Sequence, residues 1–155
     1  LTNQVNVGLT WRHNLSDCID FNTTLDAFIN NVKDKIVAVP YNMFVWTNIN
    51  VGQVSTAGYE ITLKGNYKLS PRQQIVLSAG YSYQRAANHT DKKSEYYGNQ
   101  IAYIPFYSGN SSIAWENPWV NIVVHGTGMS SRWTNNEHYE GTRVNGFWEM
   151  EFFVE

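Results

Sequence analysis

At 155 residues the chain is one domain or less. Charged residues make up only 15% of it, aromatics another 15%, and the formal net charge is −2, so no broad electrostatic attraction to nucleic acid is expected. The longest apolar run, Ile36-Val37-Ala38-Val39, is far short of the ~18 residues a membrane helix needs. A mean hydropathy of −0.40 still suits strands that are apolar on one face only.

Along the chain the hydrophobic period is two almost everywhere. In the first strand Val5, Val7, Leu9 and Trp11 alternate with Asn6, Gly8, Thr10 and Arg12. A short connection over residues 13–20 carries the one cysteine, Cys18, which cannot form an internal disulfide and reads as a buried or turn-located thiol. In the second strand Phe21, Thr23, Leu25, Ala27 and Ile29 alternate with Asn22, Thr24, Asp26, Phe28 and Asn30, and only Phe28 breaks the polar face. A long loop is expected over about residues 40–53. The third strand sets Tyr59, Ile61, Leu63, Gly65, Tyr67 and Leu69 against Glu60, Thr62, Lys64, Asn66 and Lys68. Ser70-Pro71-Arg72 is a turn, because proline cannot donate to a ladder. The fourth strand alternates Ile75, Leu77, Ala79, Tyr81 and Tyr83 with Val76, Ser78, Gly80, Ser82 and Gln84, and a second long loop covers about residues 86–106. A fifth strand over 107–115 is weaker, since Gly109 and Ser111 sit on its apolar side. The turn Glu116-Asn117-Pro118 leads to a sixth strand through Val120, Ile122 and Val124. A third long loop over about 130–145 precedes a seventh strand that begins near Gly146 and is expected to be cut at Glu155. No segment of useful length has a helical period.

The connections alternate between short and long, which is the layout of outer-membrane barrels, with periplasmic turns and extracellular loops. A soluble sandwich has no reason to sort its loops this way. The pattern predicts an all-β, antiparallel up-and-down meander of about seven strands, part of a larger transmembrane β-barrel. Leu9, Leu25, Ile61, Leu63, Leu77 and Tyr81 should share the lipid side, and Arg12, Asp26, Glu60 and Lys64 the inner side. Trp11, Phe21, Tyr67, Trp115, Trp119 and Phe152 cluster toward the short-turn end or the cut end, as rings do at a headgroup layer. Tyr59 and Tyr67, like Tyr107 and Trp115, are spaced to reach two such layers, although hairpin aromatics alone produce similar spacings.

No catalytic arrangement stands out, and the chain does not read as an enzyme. Glu149 and Glu151 share a strand face, which is common on lumen-facing strands, and His125 reads as a lumen-facing hydrogen-bonder. Nothing has metal-ligand or nucleophile spacing, and no cofactor is expected. The sequons at Asn22, Asn88 and Asn110 would carry no meaning in a bacterial protein and would be candidate glycan sites in a secreted eukaryotic one, a reading that Asn22, inside a strand, argues against. The long loops hold Tyr41, Phe44, Trp46, Tyr96, Tyr97, Trp133, His138 and Tyr139. Exposed loop aromatics serve as a binding surface or pack on neighbouring loops, and these residues are the candidates for substrate contact.

The stretch Phe28-Ile29-Asn30-Asn31-Val32-Lys33-Asp34-Lys35-Ile36, followed by Asn50, Gly52, Gly58 and Glu60 in an N-x-G-x-x-x-x-x-G-x-E pattern, resembles the barrel of TonB-dependent outer-membrane receptors. Gln100-Ile101-Ala102-Tyr103-Ile104-Pro105 with Ser108-Gly109 is similar to the family's entry to a late barrel strand. The resemblance covers most of the chain. It implies that residues 1–155 are a fragment of the barrel domain, with the plug and the final strands lying elsewhere. It also implies a barrel of about 22 strands, in the outer membrane of a Gram-negative bacterium. Such receptors import a scarce nutrient such as cobalamin, a ferric siderophore or haem. The implied partners are TonB, through an N-terminal part not in this chain, outer-membrane lipid and a small-molecule chelate. An isolated fragment of this kind is expected to self-associate. Two other readings are a complete eight-stranded outer-membrane barrel and a soluble β-sandwich that binds carbohydrate through Trp and Tyr.

Overall fold

The computed structural model describes residues 2–40 and 46–154, with backbone alone over 34–35, 37–40 and 46–51. Its strands are β1 (Thr2–Ser16), β2 (Ile19–Pro40), β3 (Trp46–Ser70), β4 (Gln73–Asn88), β5 (Tyr107–Glu116), β6 (Ile122–Met129), β7 (Arg132–Trp133), β8 (Arg143–Val144) and β9 (Phe147–Val154). No helix occurs among the described residues. One seven-stranded sheet runs β1-β2-β3-β4-β5-β6-β9, and every neighbouring pair is antiparallel. This is the expected meander. The two remaining strands, β7 and β8, form a separate hairpin inside the last long connection, where the sequence suggests only a loop.

The register assigns the faces. Directly paired residues share a side of a sheet, and successive residues alternate sides. Leu9 pairs with Leu25, Leu25 with Ile61, and Ile61 with Tyr81, so these four form one row across the sheet. Leu63 and Leu77 fall on the same face. The opposite face carries a row from Arg12 through Asn22, Lys64, Ser78, Ser112 and His125 to Glu151. Asp26 and Glu60 pair on that same polar face. A slip of one residue anywhere would put these charges among the leucines, which is why the alternation specifies the register.

Two of the alternation's exceptions are explained by close packing of rings on glycine. Phe28, the apolar intruder on the polar face, lies against Gly58, where a Cβ would collide with its ring. On the apolar face Gly109 pairs with Gly128 and Ser111 with Gly126, and the Trp148 indole covers both β6 glycines. The small residues that weaken the fifth strand in sequence are thus the floor on which a ring from β9 lies.

Short turns collect at one end of the sheet, at residues 17–18, 71–72 and 117–121. The exposed Cys18 lies in the first. In the third, Asn117 Oδ1 accepts from the backbone N–H groups of Trp119 and Val120, both at 3.1 Å, which closes the turn after Glu116. At the other end the expected 40–53 loop is corrected. The β2–β3 ladder continues through Val37↔Ile49 and Val39↔Thr47 to Pro40↔Trp46, so most of that segment is strand. Its β-branched residues favour extended backbone, a signal the alternation lower in the strand overshadows.

A single sheet has no second layer to bury its apolar face. Val5 and Leu9 are 65% and 66% exposed. The small buried core lies elsewhere, where Val54, Ala86 and Ile101 pack together with Ile104 against them. Val54 and Ala86 belong to the polar face, so the connection after β4 folds back over that side.

Candidate functional site

The site is a tier of two interlocked connections at the end opposite the short turns. Residues 89–106 join β4 to β5, and residues 130–146 join β6 to β9. Ile101 anchors the first by its burial against Val54 and Ala86. Buried Gln100 secures it: its Oε1 accepts from Ala86 N–H at 2.9 Å, and its Nε2 donates to the Ile104 carbonyl at 3.3 Å. Backbone bonds from Ile101 N to Ala86 O and from Asn88 N to Asn99 O complete the attachment. This anchoring uses the polar groups a loop would otherwise leave unpaired.

The second connection docks on the first. Asn136 Oδ1 accepts from Ala102 N–H at 2.8 Å, while the Asn136 carbonyl accepts from Asn99 Nδ2 at 3.1 Å. Tyr103 N–H donates to the Trp133 carbonyl at 2.7 Å. His138 has a left-handed φ of 59° and is held by its own N–H donating to Asn135 Oδ1 at 3.0 Å. That conformation turns the imidazole inward. Its Nε2 donates to the Gln100 carbonyl at 2.8 Å, and its ring stacks on Trp133 with centroids 4.5 Å apart and 11° between planes. The Arg143 guanidinium lies 5.8 Å from the Trp133 ring, and its Nη2 and Nε bond Ser131 Oγ at 2.6 and 3.0 Å.

Tyr96 and Tyr139 meet across the two connections with their phenol oxygens 3.1 Å apart. The bond to Tyr139 is the largest cause that pushes the Tyr96 phenol up to about 12, and the nearby carboxylates of Glu137 and Glu95 act in the same direction. The tier therefore sets polar-tipped rings side by side, with the Arg143 guanidinium beside one of them.

Of the eight candidate residues, four come together here as two pairs: Trp133 with His138, and Tyr96 with Tyr139. Tyr97 does not join them. It stacks on His89 at 4.9 Å, beside the rim of β4. Tyr41 and Phe44 lie outside the described residues, as does the side chain of Trp46, whose backbone pairs with Pro40 in the β2–β3 ladder rather than in a loop. The sequence gives little sign of Gln100 and Arg143 as organisers. The compact run Gln100-Ile101-Ala102 inside an otherwise polar loop is the one signal that an anchor lies there.

A family profile described as "TonB dependent receptor-like, beta-barrel" matches residues 2–152. The iron-regulated outer membrane virulence protein of Vibrio cholerae serotype O1, in both the classical Ogawa and the El Tor Inaba strains, is 29% identical over 124 residues, covering 68% of this chain and 18% of the relative. Among solved structures, the ferric yersiniabactin uptake receptor FyuA of Yersinia pestis superposes with a TM-score of 0.59 at 14% identity, over 99% of this chain and 22% of FyuA. The FrpB iron transporter of Neisseria meningitidis (F3-3 variant) gives 0.53 at 19% identity, over 99% of this chain and 24% of FrpB. The chain spans less than a quarter of each of these proteins.

Proposed function

Starting from the premise that the chain belongs to the TonB-dependent receptor-like β-barrel family, we propose that it forms an arc of the outer-membrane wall, with its extracellular loop tier, of a receptor importing a ferric chelate. The observation that carries this reading is the register. One face presents rows such as Leu9–Leu25–Ile61 to a nonpolar medium, and the other presents Arg12–Asn22–Lys64 to an aqueous interior. The long-loop tier bends over the polar face through Ile101, which is where a solute entering the lumen would pass. Substrate class follows the relatives, whose names speak of iron regulation, iron transport and ferric yersiniabactin. Energy would come from TonB, acting through parts of the receptor outside this chain.

In the tier, the Trp133–His138 stack and the Tyr96–Tyr139 pair are the proposed contacts for the chelate. The full-length receptor carrying Trp133→Ala or Tyr96→Phe is the test, in cells fed an iron-55 chelate. We expect the half-saturating concentration of uptake to rise several-fold, with receptor levels in the outer membrane unchanged. Uptake that stays as in the wild type in both variants would remove these side chains from the site. Uptake that is indifferent to loss of the whole receptor, for every iron chelate offered, would remove the transport reading.

A further inference from the structure

The apolar face is not uniform near its loop end. Between Val5 and Ile29 on one side and Tyr59 and Tyr83 on the other, the small side chains of Ala27 and Ala57 leave an open hollow of about 430 Å³. Arg85 stands at its upper edge, on the same face, two residues beyond Tyr83 and therefore roughly 7 Å farther from the short-turn end. A second, smaller hollow of about 180 Å³ continues from there, sharing Ala57 and Arg85 with the first and reaching Ser55 and His89. No acidic side chain lines either hollow. The Arg85 guanidinium reaches the Gly98 carbonyl only at 3.5 Å and is exposed. Lys33 is exposed on the same face, one paired residue away from the His89 level across Gln53.

The level of the hollows is marked by the Tyr59–Tyr83–Tyr107 row, whose ring centroids lie 5.5 and 5.2 Å apart. Rings with polar tips settle where hydrocarbon meets headgroups. The lower hollow is thus in hydrocarbon, while Arg85 and the upper hollow are among headgroups. A guanidinium at that height is a planar fork for phosphate oxygens.

We propose that the two joined hollows are a binding site for one phosphorylated, multiply acylated glycolipid of the outer leaflet, an acyl chain in the lower hollow and a phosphate on Arg85. The site rests on the lipid-facing assignment of the apolar face and not on which chelate is carried. It explains why an arginine stands at the edge of a hollow whose other side chains on this face are Val, Ile, Ala and Tyr. Lys33 and His89 supply additional donors to the same headgroup from the two sides.

The test uses the full-length receptor, purified in detergent, stripped of lipid and offered bisphosphorylated lipid A. The amount retained after detergent exchange is measured by mass spectrometry. We expect Arg85→Gln to reduce retention about tenfold, the scale of one charge-assisted hydrogen bond. Ala57→Leu should reduce it as well by filling the lower hollow, with the guanidinium untouched. Dephosphorylated lipid A should be held as weakly by the wild type as the phosphorylated form is by Arg85→Gln. Equal retention by the wild type and both variants would overturn the proposal. Equal retention of phosphatidylglycerol, or full displacement by millimolar inorganic phosphate, would overturn it too, reducing the site to a general lipid contact or a free-phosphate site. Heat-modifiable migration on gels checks that both variants form the barrel. Ferric-chelate uptake by the wild-type receptor separates the two readings: no uptake of any chelate, with lipid retention falling in both variants as expected, counts against the transport proposal alone, and normal uptake with equal retention counts against the lipid site alone.

Discussion

At the scale of single residues, two environments exist within one chain and each imposes its own arithmetic. Ile61 sits in a row of apolar partners, Leu25 and Tyr81, and its neighbour Thr62 on the other face between Thr24 and Gly80. A cation on the lipid side near the midplane costs ~2–4 kcal/mol, while the lumen side solvates it. Ile61→Arg should therefore destabilise the assembled receptor by about that much, and Thr62→Arg by under ~1 kcal/mol, read as midpoints of urea unfolding in lipid vesicles. Equal losses would mean that the two faces see the same medium. The loop tier offers a second residue-scale test. The Tyr96 phenol, raised to about 12 mainly by its bond to Tyr139, has a higher pKa folded than unfolded. Such a group contributes stability that is complete below its ordinary value of 10.0 and is lost as pH climbs through about 12. The latch between the two connections should therefore hold across neutral pH and loosen only in strong alkali. In Tyr139→Phe the Tyr96 titration should fall back toward the ordinary value, followed by NMR of ring-labelled tyrosine. A Tyr96 midpoint unmoved by that substitution would show that the phenols do not meet.

At the scale of elements, strand length and register say where the membrane lies. A strand needs ~9–11 residues to cross a bilayer, yet β2 has 22 and β3 has 25. On β3 the crossing is bracketed by Tyr59 and Tyr67, so the surplus toward Trp46 extends on the loop side, beyond the Tyr59 level. Within the crossing, adjacent residues must differ in surroundings. Spin labels at Leu63 and Lys64 of the full-length receptor should respond oppositely, the first relaxed by a lipid-soluble quencher and the second by a water-soluble one. Equal accessibility of both positions would contradict the facing. Much of this was legible beforehand because a period of two is a local property: Tyr59 to Leu69 reads as a two-faced strand without any partner. The hairpin extension above residue 53 was not, since its polar Asn48 and Asn50 look like loop and become strand only when β2 pairs with them. The tier was half legible. Trp133, His138, Tyr96 and Tyr139 stand out by residue type, but their pairing depends on Asn99 and Asn136 bonding across 37 positions of chain, which no local pattern contains. Tyr97 looked equivalent to Tyr96 and differs because adjacent loop residues point to opposite sides, one toward Tyr139 and one toward His89.

At the scale of the whole molecule, the sheet has two open edges, β1 and β9, and one bare apolar face. Each edge presents a row of unpaired backbone donors and acceptors, which in a closed barrel would be met by the neighbouring strands. On the bare face Val5, Leu9 and Phe152 are 65%, 66% and 69% exposed, surface that water disfavours and lipid accepts. These two features set the behaviour of residues 1–155 if produced alone. The polypeptide cannot pair β1 with β9 without curling seven strands around a lumen too narrow for the tier that folds over it. It can satisfy both edges and cover the apolar face by associating with other copies. We therefore expect the isolated chain in detergent-free buffer to scatter light as oligomers that grow with concentration. Detergent micelles should cover the apolar face and reduce that growth, while leaving edge pairing intact. A β1 edge bearing prolines at Asn6 and Thr10 should reduce the association that remains in detergent, because each removes a backbone donor from the open row. A monodisperse monomer at high concentration without detergent would mean that the apolar face is covered by the chain itself, and the membrane-wall assignment of that face would fall with it.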